Sequence, residues 1–176
     1  MTSLPVLLIV AHQGYREEEL EAPRRALEAA GIPARVASSS LAPAAGLAGG
    51  TVQPDLLYSA ARAEDHAAVV FVGGYGAVEY FADRTAHELA RAALRLGRVV
   101  AAICYGASVL AEAGLLSGRR ATAWPEREAH LREKGAVWTG SPLEIDGALI
   151  TARDPESAAA LGRALVAALG GSHTER

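Results

Sequence analysis

Cysteine is almost missing from this chain. Its one copy, Cys104, excludes any disulfide framework within the chain. A reducing, cytoplasmic setting is then the default expectation. Aromatic residues are also scarce, at 5% against an apolar share of 51%. The core must therefore be built mainly from Ala, Val and Leu, with alanine setting close spacing between layers. There is no cluster of basic residues, only the separated pairs Arg24-Arg25 and Arg119-Arg120, and the formal net charge is −3. These features argue against nucleic acid as a partner. No apolar run approaches the ~20 residues that cross a bilayer, so no membrane partner is expected. Met1-Thr2-Ser3 leads straight into a strand-like run without the charge and cleavage pattern of a secretory signal.

What is present is a regular alternation of apolar runs and helical stretches. Leu4 to Ala11 is continuously apolar, as in strands buried on both faces of a parallel sheet. A polar turn, His12-Gln13-Gly14-Tyr15, precedes a helix over about Arg16 to Ala30 that Gly31 closes. Ala34–Ala37 reads as a short strand, and Ser38 to Pro54 as a loop with room for a hairpin near Thr51-Val52. Ala67–Val72 is a buried strand ended by Gly73-Gly74. A helix over Arg84–Leu96 stops at Gly97, and Val99–Ile103 is the strand that enters Cys104. Arg120–Ala123 then reads as a strand and Glu126–Lys134 as a short helix. Asp146-Gly147 is the expected turn of a hairpin. Pro155–Leu169 is the last helix, with Pro in its first turn.

This order predicts a doubly wound, mostly parallel sheet in a three-layer α/β/α sandwich. One domain over 1–170 with a frayed tail at 171–176 is expected. Sites in such folds lie at the carboxyl ends of the strands. That rule gathers the loops at His12–Glu19, Gly73–Tyr75 and Cys104–Gly106.

Cys104 follows its strand directly and is followed by Tyr105-Gly106 and a helix. This is the sequence form of a nucleophile elbow, in which a tight strand-to-helix turn exposes the side chain at a helix N-terminus. Unpaired amide groups there favour the thiolate, the reactive form of cysteine. The competing possibility is a small cysteine buried inertly among alanines. The glycines Gly73-Gly74 let backbone N–H groups approach a ligand, and with the N–H of Tyr105 they are candidate oxyanion donors. Glu17-Glu18-Glu19 opens the first helix, where acidic residues complement the helix dipole. At 100° per residue the three diverge, so one can face the crevice. A carboxyl pressed on a thiolate gives up its charge or raises the thiol pKa, and the two titrate as a pair.

The segment AAICYGASVLAEAGLLSGRRATAWP resembles the elbow of the ThiJ/PfpI family. EEELEAPRRALEAAG resembles its first helix, with Glu19 four residues before Pro23. AVVFVGGYG resembles its Gly-Gly loop and IDGALITARDP its C-terminal hairpin. The resemblance spans about Leu4 to Leu169. It implies a flavodoxin-like domain related to class I glutamine amidotransferases, without metal or other cofactor, assembled as a homodimer or higher homo-oligomer. It also implies Cys104 as nucleophile, Glu19 as its proton partner, and Gly74 and Tyr105 as backbone donors. The implied activities are glyoxalase or deglycase chemistry on small reactive carbonyls in stress protection, intracellular peptidase action, and non-enzymatic oxidative-stress sensing or chaperone action.

The departures bear on activity. Peptidase-like members have His directly after the cysteine, where this chain has Tyr105. Deglycase-like members often have His before the proline in the next strand, where this chain has Trp124. An acidic residue follows the Gly-Gly loop in the peptidase branch, and Glu79 is the nearest candidate. Amide hydrolysis thus lacks its usual general base. Of the five histidines, His12 stands best placed to join the pocket with Gly73 and Tyr75. His66 falls at the wrong end of its strand, His87 and His130 are expected on solvent faces of helices, and His173 lies in the tail. No histidine pair has metal-ligand spacing. A carbonyl-directed enzyme using Cys104 and Glu19 fits these residues better than an amidase does.

Overall fold

A computed structural model describes residues 3–170. The expected frayed tail, with His173, lies outside the described residues. Along the chain run β1 (Val6–Ile9), β2 (Gln13–Tyr15), α1 (Glu17–Ala29), β3 (Ala34–Ser38), β4 (Ala44–Gly46), β5 (Thr51–Val52) and β6 (Leu56–Leu57). Then come β7 (Ala68–Phe71), α2 (Arg84–Arg95), β8 (Val99–Ile103), α3 (Ala107–Glu112), β9 (Arg120–Ala121) and α4 (Glu128–Glu133). The chain ends with β10 (Val137–Trp138), β11 (Leu143–Asp146), β12 (Leu149–Ala152) and α5 (Ala158–Gly170). No helix among the described residues is long and apolar enough to cross a membrane.

Seven strands form the main sheet in the order β11-β12-β8-β7-β1-β3-β6. Every pairing in it is parallel except β11 with β12. The alternation of side chains along each strand supplies both faces of the core. Val6 and Leu8 of β1 pack with Leu20 and Leu27 of α1 and Leu161 and Leu165 of α5. Leu7 and Ile9 face the opposite way, towards Ala86, Leu89 and Ala90 of α2, Leu110 of α3 and Leu131 of α4. This is the three-layer sandwich expected from the sequence. Alanines dominate the helix faces that meet the sheet, which lets the layers approach despite few aromatics.

The chain goes from β1 to β3 on one side and returns to β7 on the other, so strand order reverses between β1 and β7. Ligand crevices form at such a switch point because the two flanking loops diverge there. The end of β1 is pinned in place. Its following residue, Val10, offers a buried carbonyl that accepts the Tyr80 hydroxyl at 2.8 Å and the Ser38 hydroxyl at 2.8 Å. Tyr80 lies in a 3₁₀ segment, Tyr75–Tyr80, just after the Gly-Gly loop. One carbonyl therefore ties the loops after β1, β3 and β7 together.

Two local expectations are corrected. His12–Tyr15 is not a simple turn: Gln13–Tyr15 forms β2, which pairs in parallel with β4, and β4 pairs antiparallel with β5. The small hairpin foreseen near Thr51-Val52 therefore exists, and β2 extends it. In the C-terminal hairpin Asp146 pairs with Leu149, so the turn residues are Gly147-Ala148 rather than Asp146-Gly147. The slip has a plain cause. A two-residue turn with glycine first needs one left-handed residue, and Gly147 has φ 60°. Asp146 is instead retained by the sheet edge, accepting the Arg120 amide at 2.9 Å.

Removing one of two donors from the Val10 carbonyl leaves it paired, whereas removing both strands it in the core. Tyr80→Phe and Ser38→Ala should each cost about 1 kcal/mol. The double variant should cost more than their sum by about 1 kcal/mol or more. Urea denaturation of the four proteins in the cycle measures this, and strict additivity would contradict the shared-acceptor account.

Candidate active site at the strand-to-helix turn

Cys104 follows β8 without an intervening residue and has φ 59°, the only positive φ outside glycine among the described residues. Left-handed backbone at a residue with a Cβ costs on the order of 1–2 kcal/mol. It lets the chain turn from strand to helix within one residue: a 3₁₀ turn, Cys104–Gly106, runs directly into α3. Gly106 permits the turn to lie against β7, because a Cβ there would stand 2.3 Å from the Phe71 carbonyl oxygen. The sulfur receives the backbone amides of Tyr105 and Gly74. The two amides foreseen as oxyanion donors therefore act on the sulfur, lowering the thiol pKa against burial. Gly74 reaches it only as glycine, with φ 98° and no space for a Cβ against the Gly14 carbonyl.

The three glutamates of the first turn of α1 have three fates, as their 100° spacing requires. Glu17 accepts the Ala48 amide at 2.8 Å, Glu18 is exposed, and Glu19 is fully buried. The Glu19 carboxyl lies against the Cys104 side chain and the Gly73 amide. Neither contact is a well-aligned hydrogen bond, so both oxygens are short of donors in the core. Burial pushes the Glu19 pKa up to about 8, against the smaller opposing effects of Cys104, Gly73 and the Arg16 charge. Burial, and then the charge on Glu19, also push the Cys104 thiol up, while the Tyr105 and Gly74 amides pull it down. Two negative charges cannot be held here together, and the groups titrate as one coupled unit.

A small cleft opens beside the sulfur, walled by Arg16, Leu47, Gly74, Tyr75, Tyr105 and Trp124. The Tyr75 and Tyr105 rings meet edge to face at 5.0 Å. The Tyr105 hydroxyl donates to Glu126 at 2.6 Å. The Arg127 guanidinium lies between the Tyr105 and Phe81 rings, 5.7 and 5.1 Å from their centres. Trp124 Nε1 is shielded from solvent and has no hydrogen-bond partner.

Cys104, Glu19, Gly74, Tyr75, Tyr105 and Trp124 are therefore brought together. His12, Glu79 and Gly73 do not line the cleft. The Glu79 carboxylate accepts the His12 backbone amide at 2.9 Å, which clasps two loops. Gly73 lies behind the sulfur, where a Cβ would strike Glu19 at 2.3 Å. The expectation that His87 and His130 face solvent is also corrected. His87 is buried in α2. His130 is held between Glu112, at 2.6 Å, and the Ser108 hydroxyl, at 3.1 Å. Both helices bury these rings because α2 and α4 pack more of their circumference than their short apolar stripes suggest. His66 is at the amino end of β7, as expected, bonded to the Arg62 carbonyl.

Two cleft residues were missed in the sequence. Arg16 is the N-cap position of α1, directly ahead of the glutamates, and an arginine at the start of an acidic turn was a usable signal. Leu47 had none, since it arrives only through the pairing of β2 with β4 and its own amide bond to the Tyr15 carbonyl.

Comparison with known proteins agrees with this layout. The model of the DJ-1/PfpI family matches residues 5–168. Protein MJ0967 of Methanocaldococcus jannaschii is 33% identical over 172 residues, covering 96% of this chain and 84% of that protein. A Pyrococcus abyssi protein named deglycase PYRAB04690 is 30% identical over 149 residues, 85% of this chain and 90% of its own. The crystal structure of a ThiJ/PfpI domain protein from Brachyspira murdochii superposes with a TM-score of 0.94 at 29% identity, over 97% of this chain and 99% of that one.

The buried carboxyl makes stability depend on pH in a defined direction. Glu19 ionises at 4.5 in its ordinary state and at about 8 when folded. Between those values the unfolded chain gives up a proton that the folded chain keeps, so stability falls as pH rises. Glu19→Gln removes that loss. Its unfolding free energy should exceed the parent's by on the order of 3 kcal/mol at pH 7.5, with the gap closing towards pH 4.5. Urea denaturation at the two pH values checks this; a variant no more stable at pH 7.5 would mean that the carboxyl is ionised when folded.

Proposed function

The chain belongs to the DJ-1/PfpI family, and on that premise we propose that it is a cysteine-dependent enzyme acting on small reactive carbonyl compounds, with Cys104 as nucleophile and Glu19 as proton carrier. The observation that carries this reading is the fully buried Glu19 carboxyl against a cysteine held at φ 59°. A left-handed turn and a carboxyl short of hydrogen bonds are both costly, and such costs persist where a site uses them. The relative named a deglycase in Pyrococcus abyssi supports the same class.

In the reactive form the pair has lost one proton; the other is assigned to Glu19 and the charge to sulfur, where the Tyr105 and Gly74 amides oppose the burial and the Glu19 charge that raise the thiol. The thiolate adds to the aldehyde carbon of a compound such as methylglyoxal. A carbon–sulfur bond forms, the carbonyl π pair moves to oxygen, and that oxygen takes the proton from Glu19. The Glu19 carboxylate then removes the hydrogen from the same carbon and returns a proton to the neighbouring one, while the hydroxyl proton of the first carbon passes to the oxygen of the second; this converts the hemithioacetal to a thioester of lactate. Water cleaves the thioester, releasing lactate and a proton and restoring the Cys104–Glu19 pair. The sum is methylglyoxal plus water to lactate and a proton, with no external oxidant. The transfers to and from carbon and oxygen suit a carboxyl with pKa near 8.

Amide cleavage fits less well. A departing amine needs a positioned acid, and no histidine lines the cleft. The non-enzymatic alternative, oxidation of Cys104 as a stress signal, uses the same sulfur. A second copy of the chain is a further expectation, supported by the exposed apolar side chains Leu47, Tyr75 and Val78 on one side of the molecule's cleft region.

Methylglyoxal loss matched by lactate release is the test. Cys104→Ser should abolish it, and Glu19→Gln should lower kcat/KM by roughly 10²-fold or more. Undiminished turnover in Cys104→Ser overturns the reading. A parent protein that consumes no aldehyde yet gains 32 Da on Cys104 at low peroxide would favour the oxidation alternative.

A further inference from the structure

We propose that the cleft contains an anion subsite in which Arg16 and Trp124 receive the carboxylate of a small carbonyl compound, so that Cys104 takes aldehyde acids and 2-oxo acids in preference to neutral carbonyls. The inference rests on Cys104 being the reacting group and goes beyond it by assigning the charge of the substrate.

Among the described residues, Arg16 is the one basic side chain on the cleft wall. Its backbone amide is bonded to the Gly73 carbonyl at 3.0 Å, which fixes the root of the side chain beside the Gly-Gly loop. Its guanidinium forms no hydrogen bond or ion pair with another of the described residues. A guanidinium has five donors suited to a planar two-oxygen acceptor. The second observation is Trp124 Nε1, a donor on the same wall that is withdrawn from solvent without a partner. A buried donor left unpaired costs about 1–3 kcal/mol unless a bound acceptor satisfies it. The unpaired indole N–H and the uncommitted guanidinium together suit a molecule with several acceptors.

The acidic groups nearby do not answer them. Glu17 is engaged by the Ala48 amide and Glu126 by the Tyr105 hydroxyl. Glu18 is exposed, and Glu19 lies behind the sulfur with the Arg16 charge as only a minor influence on it. The cleft is small and shallow, which limits any occupant to a few heavy atoms at the sulfur. Glyoxylate, five heavy atoms with an aldehyde next to a carboxylate, is the simplest probe of this kind. Its aldehyde carbon would form the bond to sulfur, its carbonyl oxygen would take the proton of Glu19, and its carboxylate would face Arg16.

A pair of alkylating agents of equal size separates charge from reactivity. Iodoacetate and iodoacetamide both form a carbon–sulfur bond with loss of iodide, and only the first is an anion. Their rates at Cys104 are measured at pH 7 and low salt, each relative to glutathione. The parent protein should favour iodoacetate by roughly tenfold over the glutathione ratio, a preference that 0.5 M NaCl reduces. Arg16→Gln should lose it, and Arg16→Lys should keep part of it. Glyoxylate should protect Cys104 from iodoacetamide at about tenfold lower concentration than glyoxal does in the parent, and without such preference in Arg16→Gln. An iodoacetate ratio equal to that of glutathione, or one kept in Arg16→Gln, overturns the subsite. If methylglyoxal is turned over without anion preference, the subsite alone fails. If the preference is present and no aldehyde is consumed, the subsite stands and the carbonyl-enzyme reading fails. A native Cys104 inert to every reagent sinks both.

Discussion

Two acidic groups, a carboxyl and a thiol, are packed against each other inside this protein, and they cannot both carry charge there. Glu19 is fully buried and Cys104 nearly so, at 6% exposure. Were both ionised, their repulsion would be felt in a medium that screens poorly. Were both neutral, the two amides acting on the sulfur would have little to stabilise. Burial favours the protonated form of both groups, and the Tyr105 and Gly74 amides oppose it at the sulfur.

Neither half of the pair can be positioned by its own element. Cys104 belongs to β8 and α3, whereas Glu19 belongs to α1, 85 residues earlier in the chain. They meet because β1, β7 and β8 are adjacent and parallel, so their carboxyl ends lie on one side. The Val10 carbonyl, with its two hydroxyl donors, sets where the chain leaves β1. Gly73 leaves the room, free of a Cβ, in which the Glu19 carboxyl reaches the Cys104 side chain. The local costs of a left-handed cysteine and an under-bonded carboxyl are carried by the sheet and its alanine-packed helices, which bury almost every core strand residue completely.

How much of this the sequence disclosed follows from which forces act locally. The buried strands were legible because both faces of a parallel strand must be apolar, so Val6–Ile9 and Ala68–Phe71 stand out as unbroken runs. The elbow was legible because strand, cysteine, glycine and helix are contiguous. Choosing Glu19 among three glutamates took the resemblance to a known family, since helical spacing alone says only that the three diverge. The β2–β4–β5 sheet was only partly legible, because its strands are two or three residues long and owe their form to tertiary pairing. That gap is why Leu47 was missed. His12 and Glu79 were assigned to the pocket from their place in sequence, but their contact runs through a backbone amide, and no residue pattern encodes that.

The histidines show what kind of chemistry the fold leaves open. A hydroxyl, an imidazole and a carboxylate do line up in this protein, in Ser108, His130 and Glu112, with separations of 3.1 and 2.6 Å. Yet Ser108 is fully buried and also accepts the Arg127 Nε–H at 2.8 Å. The set is therefore occupied in holding Arg127, whose guanidinium packs against the Tyr105 ring on the cleft wall. Imidazole is spent on bracing the wall and is withheld from the cleft. The residues that line the cleft with polar groups are Cys104, Tyr75, Tyr105, Trp124 and Arg16. Behind them stands one carboxyl. Such a set can add to a carbonyl and pass a proton over a short distance, and it has no acid placed to expel an amine. The Arg16 charge is the one on the cleft wall without an ion pair among the described residues, and it is on this charge that the proposed anion subsite rests.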